Sequence, residues 1–234
     1  MMPRTIITWR DPYDEGFSTC RKKEVTFEPG VTVLVGCNGA GKSTMLHNLK
    51  EELKKEKIPL FYYDDRLESQ NSVSESFFRG NYNFGATYMT ASEGERISMN
   101  LGKISSQWRK FLKTGQTGDV DDNLVKAFAK AVWGDGDSQD TIPNERWILL
   151  DAMDSGFSID NVVEMKEFFQ LVLDDAKKIG VELYIVISSN EYELAHDSNC
   201  MDVMEGKYIK FKDYDDYKKF ILHTREKKDK RYKE

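Results

Sequence analysis

Apolar and polar positions along this chain alternate between two regimes. After the turn pair Pro29–Gly30, the run from Val31 to Val35, apolar but for Thr32, reads as a strand covered on both faces. Beyond Lys42 the spacing becomes helical, with Met45, Leu46, Leu49 and Leu53 on one face and "KEELKKEK" on the wet side. The exchange repeats down the chain. "IPLFYY" (58–63) and "WILL" (147–150) predict strands, 162–178 predicts a helix through Met165, Phe168, Phe169, Val172 and Leu173, and "VELYIVISS" (181–189) predicts another strand. Strands alternating with helices give an α/β fold with a largely parallel central sheet, whose ligands gather at the carboxyl ends of the strands.

The margins differ. "RTIITW" (4–9) and "KEVTFE" (23–28) flank a turn-rich stretch holding Asp11, Pro12 and Gly16, which predicts an N-terminal antiparallel β element. "MDVMEGKYIKF" (201–211) predicts a hairpin turning at Glu205–Lys207, followed by a last helix, "DYDDYKKFILHTREKK" (213–228). Two stretches break the rhythm: 64–90 is polar and aromatic, and 113–144 places a short amphipathic helix between glycine- and aspartate-rich loops. We read them as insertions, the second spanning about 105–145, in one domain over 1–215, with 216–234 as a charged C-terminal helix or tail.

Composition narrows the function classes. A net charge of −6 argues against coating nucleic acid by bulk electrostatics, which needs clustered Lys and Arg. The one basic stretch, "TREKKDKRYKE" from Thr224, reads as a solvated helix end or as a local patch for DNA. Three widely spaced cysteines with no CxxC predict neither a disulfide framework nor a zinc site. The N-terminus carries charges where a signal peptide needs an apolar run, and no stretch of about 18 apolar residues predicts a membrane span. A cytoplasmic location is the expectation.

Between the strand "VTVLV" and the first helix lies "GCNGAGKST" (36–44), which fits the pattern GxxxxGK followed by Ser or Thr. Gly36, Gly39 and Gly41 let the backbone curl so that successive amides point inward, and the helix behind adds its positive N-terminal end to a bound phosphate. Lys42 would reach the β- and γ-phosphates of ATP, and the Ser43 hydroxyl would ligate Mg²⁺.

"GCNGAGKST" resembles the phosphate loop of ABC-type ATPases, GxNGAGKST, and "ASEGER" (91–96) is similar to their signature LSGGQR or LSGGER. The resemblance covers most of residues 4–212 and points to the soluble branch. That branch includes the heads of SMC and RecF-like proteins and small AAA-family ATPases of bacterial or phage type. It implies a P-loop NTPase fold with a small helical insertion carrying the signature. It also implies ATP contacts from Gly36, Asn38, Gly39, Ala40, Gly41, Lys42, Ser43 and Thr44, and a homodimer in which Ser92 and Gly94 reach the partner's γ-phosphate while Glu95 holds the signature's glutamine or glutamate position in the ATP site. Glu93 stands where the family has its first signature glycine. Read without the family, "SxGE" is an ordinary helix cap.

"WILLDAMDSGFSID" resembles the family's second metal strand and the loop DExxSGLD, which gives Asp151 to Mg²⁺ beside Ser43. The next family position, a glutamate that polarises the attacking water, is Ala152 here. Asn190 stands where the family often has histidine, and an amide cannot take up a proton at neutral pH. Three replacements are open: Asp154 as acid and water-positioning group, a glutamate (Glu93, Glu95 or Glu191) supplied across a dimer, or slow hydrolysis with ATP acting as glue. Asp154 equally fits a simple cap for the helix near Ser158. Trp9, Tyr13 and Phe17 are candidates for stacking on adenine, although strand aromatics at such spacing are more often core residues.

The expected function is therefore an ATPase whose partner is a second copy, another protein or DNA. The alternatives are a non-hydrolysing ATP-dependent dimerisation switch and a P-loop small-molecule kinase, whose lid would draw on Arg66, Arg79 and Arg96.

Overall fold

The computed structural model describes residues 3–7, 24–64, 107–115, 144–152 and 158–231. In chain order the elements are β1 (Arg4–Ile7), β2 (Glu24–Phe27), β3 (Gly30–Val35), α1 (Lys42–Lys55), β4 (Leu60–Asp64) and a helical stretch at 107–114 (α2). They continue with β5 (Glu145–Asp151), α3 (Ile159–Lys178), β6 (Glu182–Ser188), α4 (Tyr192–Ala195), β7 (Asn199–Asp202), β8 (Lys207–Ile209) and α5 (Tyr214–Arg231).

Six strands form one sheet in the order β4-β5-β6-β3-β7-β8, and β1 pairs with β2 in a separate antiparallel ribbon. Every pairing from β4 through β7 is parallel; only the β7–β8 hairpin is antiparallel. The parallel strands are apolar on both faces because both faces are covered. Val33, Val35, Ile148, Leu150, Ile185 and Ile187 meet Met165, Phe169 and Val172 of α3, together with Trp108 and Phe111 of α2. Leu34, Leu149 and Val186 point the other way, toward Met45, Leu46, Leu49 and Leu53 of α1 and toward Ile6 and Phe27 of the ribbon. On this second side Trp147 stacks on Tyr184 with ring centroids 4.3 Å apart, and burial pushes the Tyr184 hydroxyl up to about 12.

The hairpin turns earlier than its glycine alone suggests, over 203–206, with β8 beginning at Lys207. Asp202 is the reason. Its Oδ1 accepts from the Met204 amide at 2.8 Å, and its carbonyl accepts from Gly206, which holds a φ of 60°. The C-terminal segment is an ordered helix through Arg231, so position 216 falls inside α5, and Thr224 on that helix is 1% exposed.

Candidate functional site

β3 stops at Val35, the loop 36–41 follows, and α1 starts at Lys42. Two glycines make that passage sterically possible. A Cβ on Gly36 would stand 3.0 Å from the Ala40 Cβ and 3.1 Å from the Val203 Cγ2, so a side chain there would push on both neighbours, at a φ of 155° that L side chains rarely adopt. Gly41, just before α1, has a φ of 103°, which L side chains rarely adopt. The curl is closed by Ala40 N–H to Cys37 O at 3.0 Å and Met45 N–H to Gly41 O at 2.8 Å. Asn38 and Gly39 are left exposed at the tip, Ala40 is buried, and Thr44 is half-buried.

Lys42 is 9% exposed, an unusual setting for an ammonium. Its Nζ donates to Gly36 O at 2.8 Å, Cys37 O at 3.3 Å and Asn190 Oδ1 at 2.8 Å. One residue on, Ser43 Oγ donates to Asp151 Oδ1 at 3.1 Å. Sheet order explains this meeting of distant residues. β6 lies between β3 and β5, all three strands run parallel, and Gly36, Asp151 and Ser188 therefore emerge side by side at their carboxyl ends.

Ser188, at the end of β6, is a site residue that sequence reading missed. Its hydroxyl donates to Asp151 Oδ1 and accepts from the Ala152 amide at 2.9 Å, fixing both the carboxylate and the backbone beyond it. Ala152 itself adopts a φ of 56°, left-handed for a residue with a Cβ. Its methyl group offers no acceptor for a proton. Glu191 is exposed, and its amide donates to Ser189 Oγ at 2.9 Å. Ser92, Glu93, Gly94, Glu95 and Asp154 lie outside the described residues, as do Trp9, Tyr13 and Phe17.

α5 is predicted as a helix, but its part in the site is not. It lies across this end of the sheet and ties to both halves of the site. Tyr217 Oη donates to Asn190 O at 2.9 Å, Thr224 Oγ1 accepts from the Cys37 amide at 3.1 Å, and Lys228 Nζ donates to Asn38 O at 2.9 Å. A cleft of about 420 Å³ separates the helix from the loop, with Asn38 and Asn190 on one wall and Lys218, Arg225 and Lys228 on the other. Two buried acid groups sit next door on β7. Burial raises both, the Asp202 carboxyl above its ordinary value and the Cys200 thiol to about 12.

The groups gathered here are of the kinds that could bind an anion beside a divalent cation. A glycine curl at a helix N-terminus offers amides, Lys42 offers a positive charge, and the Ser43–Asp151 pair is a hydroxyl and an acid of the kind that share Mg²⁺. The residues present thus fit a Mg-nucleotide. Among the described residues there is no cluster of three or more His, Cys, Asp or Glu that could hold a metal alone, so ligand oxygens and water would complete its shell. No helix among them is long and apolar enough to cross a membrane. No protein-family model matches the chain, and comparison with curated protein sequences finds no relative.

Proposed function

We propose that the chain binds Mg-ATP at residues 36–44, closes into a head-to-tail homodimer around it, and hydrolyses it slowly. On this reading it is an ABC-type ATPase of the soluble branch that acts on a partner protein or on DNA. The observation that carries the reading is the convergence of a buried lysine, a hydroxyl and a carboxylate at one glycine-rich turn, Lys42 with its amine among three oxygens and Ser43 bonded to Asp151.

Each group has a task it can perform. The loop amides and the start of α1 receive the phosphates. Lys42 neutralises the terminal charge, and Asn190, already within bonding distance of its amine, can donate its NH₂ to a phosphate oxygen. Ser43 and Asp151 hold the cation, whose contribution when bound is to neutralise charge on the phosphate oxygens. Ser188 keeps Asp151 aimed at that position. Neither Ala152 nor Asn190 can accept a proton from water, and loss of one such group typically costs ~10² to 10⁴ in rate. Slow turnover follows. The signature-like residues Ser92 and Gly94 supply the contacts across the dimer, with Glu95 in the signature's glutamine or glutamate position, and Asp154 is the replacement acid.

A non-hydrolysing switch is the second reading, and one observation favours it. The Ala152 amide is committed to Ser188, and its side chain is a methyl group where a base would stand. Light scattering with and without Mg-ATP, paired with steady-state phosphate release, tests both. ATP-dependent doubling of mass with release abolished by Lys42→Ala supports the enzyme; doubling with background release supports the switch. An unchanged mass contradicts the dimer in either form.

A further inference from the structure

We propose that α5 brings a second cation to the phosphate cradle: Lys228, with Arg225 one turn before it, contacts the terminal phosphate of a nucleoside triphosphate held by the loop. This rests on the Mg-ATP reading above and goes further, because nothing in the loop pattern calls for a positive charge from the end of the chain.

Three ties fix where Lys228 sits. Tyr217, Thr224 and Lys228 fall on one helical face, and each bonds to the site, to Asn190 O, from the Cys37 amide and to Asn38 O respectively. The Lys228 amine lies over the tip of the curl, 3.6 Å from where a Cβ of Gly39 would stand. Its long side chain is three-quarters covered, 25% exposed, so it is held in place and does not sweep freely through solvent.

Direction follows from the cleft. Lys42 is the group that reaches the outer phosphates, and its amine bonds Asn190 Oδ1 at 2.8 Å. Asn190 and Asn38 line the same cleft as Arg225 and Lys228, so the helix faces the end of the site where the outermost phosphate would lie. Lys218, Arg225 and Lys228 outnumber the one acid on that wall, Asp229, whose Oδ1 is 4.0 Å from the Lys228 amine.

Energetics favour an exchange of partners. The present acceptor of Lys228 is the neutral Asn38 carbonyl. The ammonium's bond to that carbonyl is already charge-assisted, and a phosphate oxygen adds the attraction of an opposite charge, so an arriving triphosphate draws the amine from the carbonyl. Where no carboxylate directly follows Asp151, cations that steady the transferring phosphoryl group are a further route to rate. A diphosphate ends one phosphate short and leaves Lys228 on Asn38. The pair therefore distinguishes ATP from ADP.

The test is calorimetric affinity of the full chain for Mg-ATP and for Mg-ADP in wild type, Lys228→Ala, Lys228→Arg and Lys219→Ala. Lys219 is exposed on the same helix and does not line the cleft, so its variant reports the general effect of removing a charge. Lys228→Ala is expected to weaken ATP about tenfold with ADP nearly unchanged, Lys228→Arg to keep the preference, and Lys219→Ala to match wild type. Lys228→Gln keeps a donor to Asn38 without the charge and gives the same readout if the alanine variant does not fold. Equal loss of both nucleotides, or of neither, overturns the proposal and leaves the loop reading standing. Failure of wild type to bind either nucleotide overturns the loop reading and this inference with it.

Discussion

The Nζ of Lys42 donates to the Oδ1 of Asn190 at 2.8 Å, joining residues 148 positions apart in sequence. The bond links the first turn of α1 to the residues just beyond β6, and it exists because β6 lies directly beside β3 in the sheet. With Gly36 O and Cys37 O, Asn190 gives the ammonium three oxygens.

Replacing that amide by an acid should set a fixed negative charge where a phosphate belongs. Asn190→Asp is expected to weaken Mg-ATP binding at least about tenfold while leaving the thermal midpoint unchanged or higher, since the new carboxylate pairs with Lys42. Binding titration beside a melting curve checks this. An affinity equal to wild type would mean that Asn190 faces away from the ligand.

Ser188 satisfies two groups with one hydroxyl, the Asp151 carboxylate and the Ala152 amide. Ser188→Ala should cost about 1–3 kcal/mol in urea unfolding, because buried polar groups lose a partner. It should also raise the magnesium concentration needed for nucleotide binding. Wild-type stability in that variant would show that water replaces the hydroxyl without penalty.

Ala152 holds a φ of 56°, where a Cβ is unfavourable. Ala152→Gly is expected to stabilise the fold by up to about 1 kcal/mol, and Ala152→Val to destabilise it by more. Ala152→Glu restores the acceptor that the ABC-type resemblance calls for, and phosphate release should rise at least about tenfold. No acceleration in a correctly folded Ala152→Glu protein would place the attacking water elsewhere.

Asp202 gives a pH dependence with a definite sign. Desolvation raises its carboxyl in the folded state, against hydrogen bonds from the Met204 and Glu205 amides. The folded chain therefore holds this proton more tightly than the unfolded chain. The stability it confers is complete below the ordinary aspartate value of about 3.9 and is lost as pH rises through the higher folded value. Asp202→Asn should flatten that segment of the stability–pH curve and raise the melting midpoint at neutral pH. An unaltered curve would locate the dependence in another group.

Local patterning was enough for much of the fold. Continuous apolar runs marked β3, β5 and β6, helical spacing marked α1 and α3, and turn residues marked the β1–β2 ribbon and the β7–β8 hairpin. It was also enough for the loop, since glycines at 36, 39 and 41 have a steric meaning that needs no neighbours. Strand order is a different matter. Nothing in the spacing of "WILL" or "VELYIVISS" says that β6 lies between β3 and β5, and from that placement alone come Ser188 against Asp151 and Asn190 against Lys42. The docking of α5 onto the site, though not the helix itself, was obscure for a related reason. Its sequence is so charged that Tyr217 and Thr224 look like surface residues, and only their partners, 27 and 187 positions away, make them buried ones.

The most direct test of the central claim, that residues 36–44 with Asp151 hold a magnesium-bound triphosphate, is a calorimetric titration of Mg-ATP into wild type and Lys42→Ala. Saturable binding in wild type, weakened by at least about a hundredfold in the variant and dependent on magnesium, is the predicted result. Wild type that is folded by circular dichroism and yields no binding heat at any temperature tried, or a Lys42→Ala variant that binds as wild type does, would contradict it.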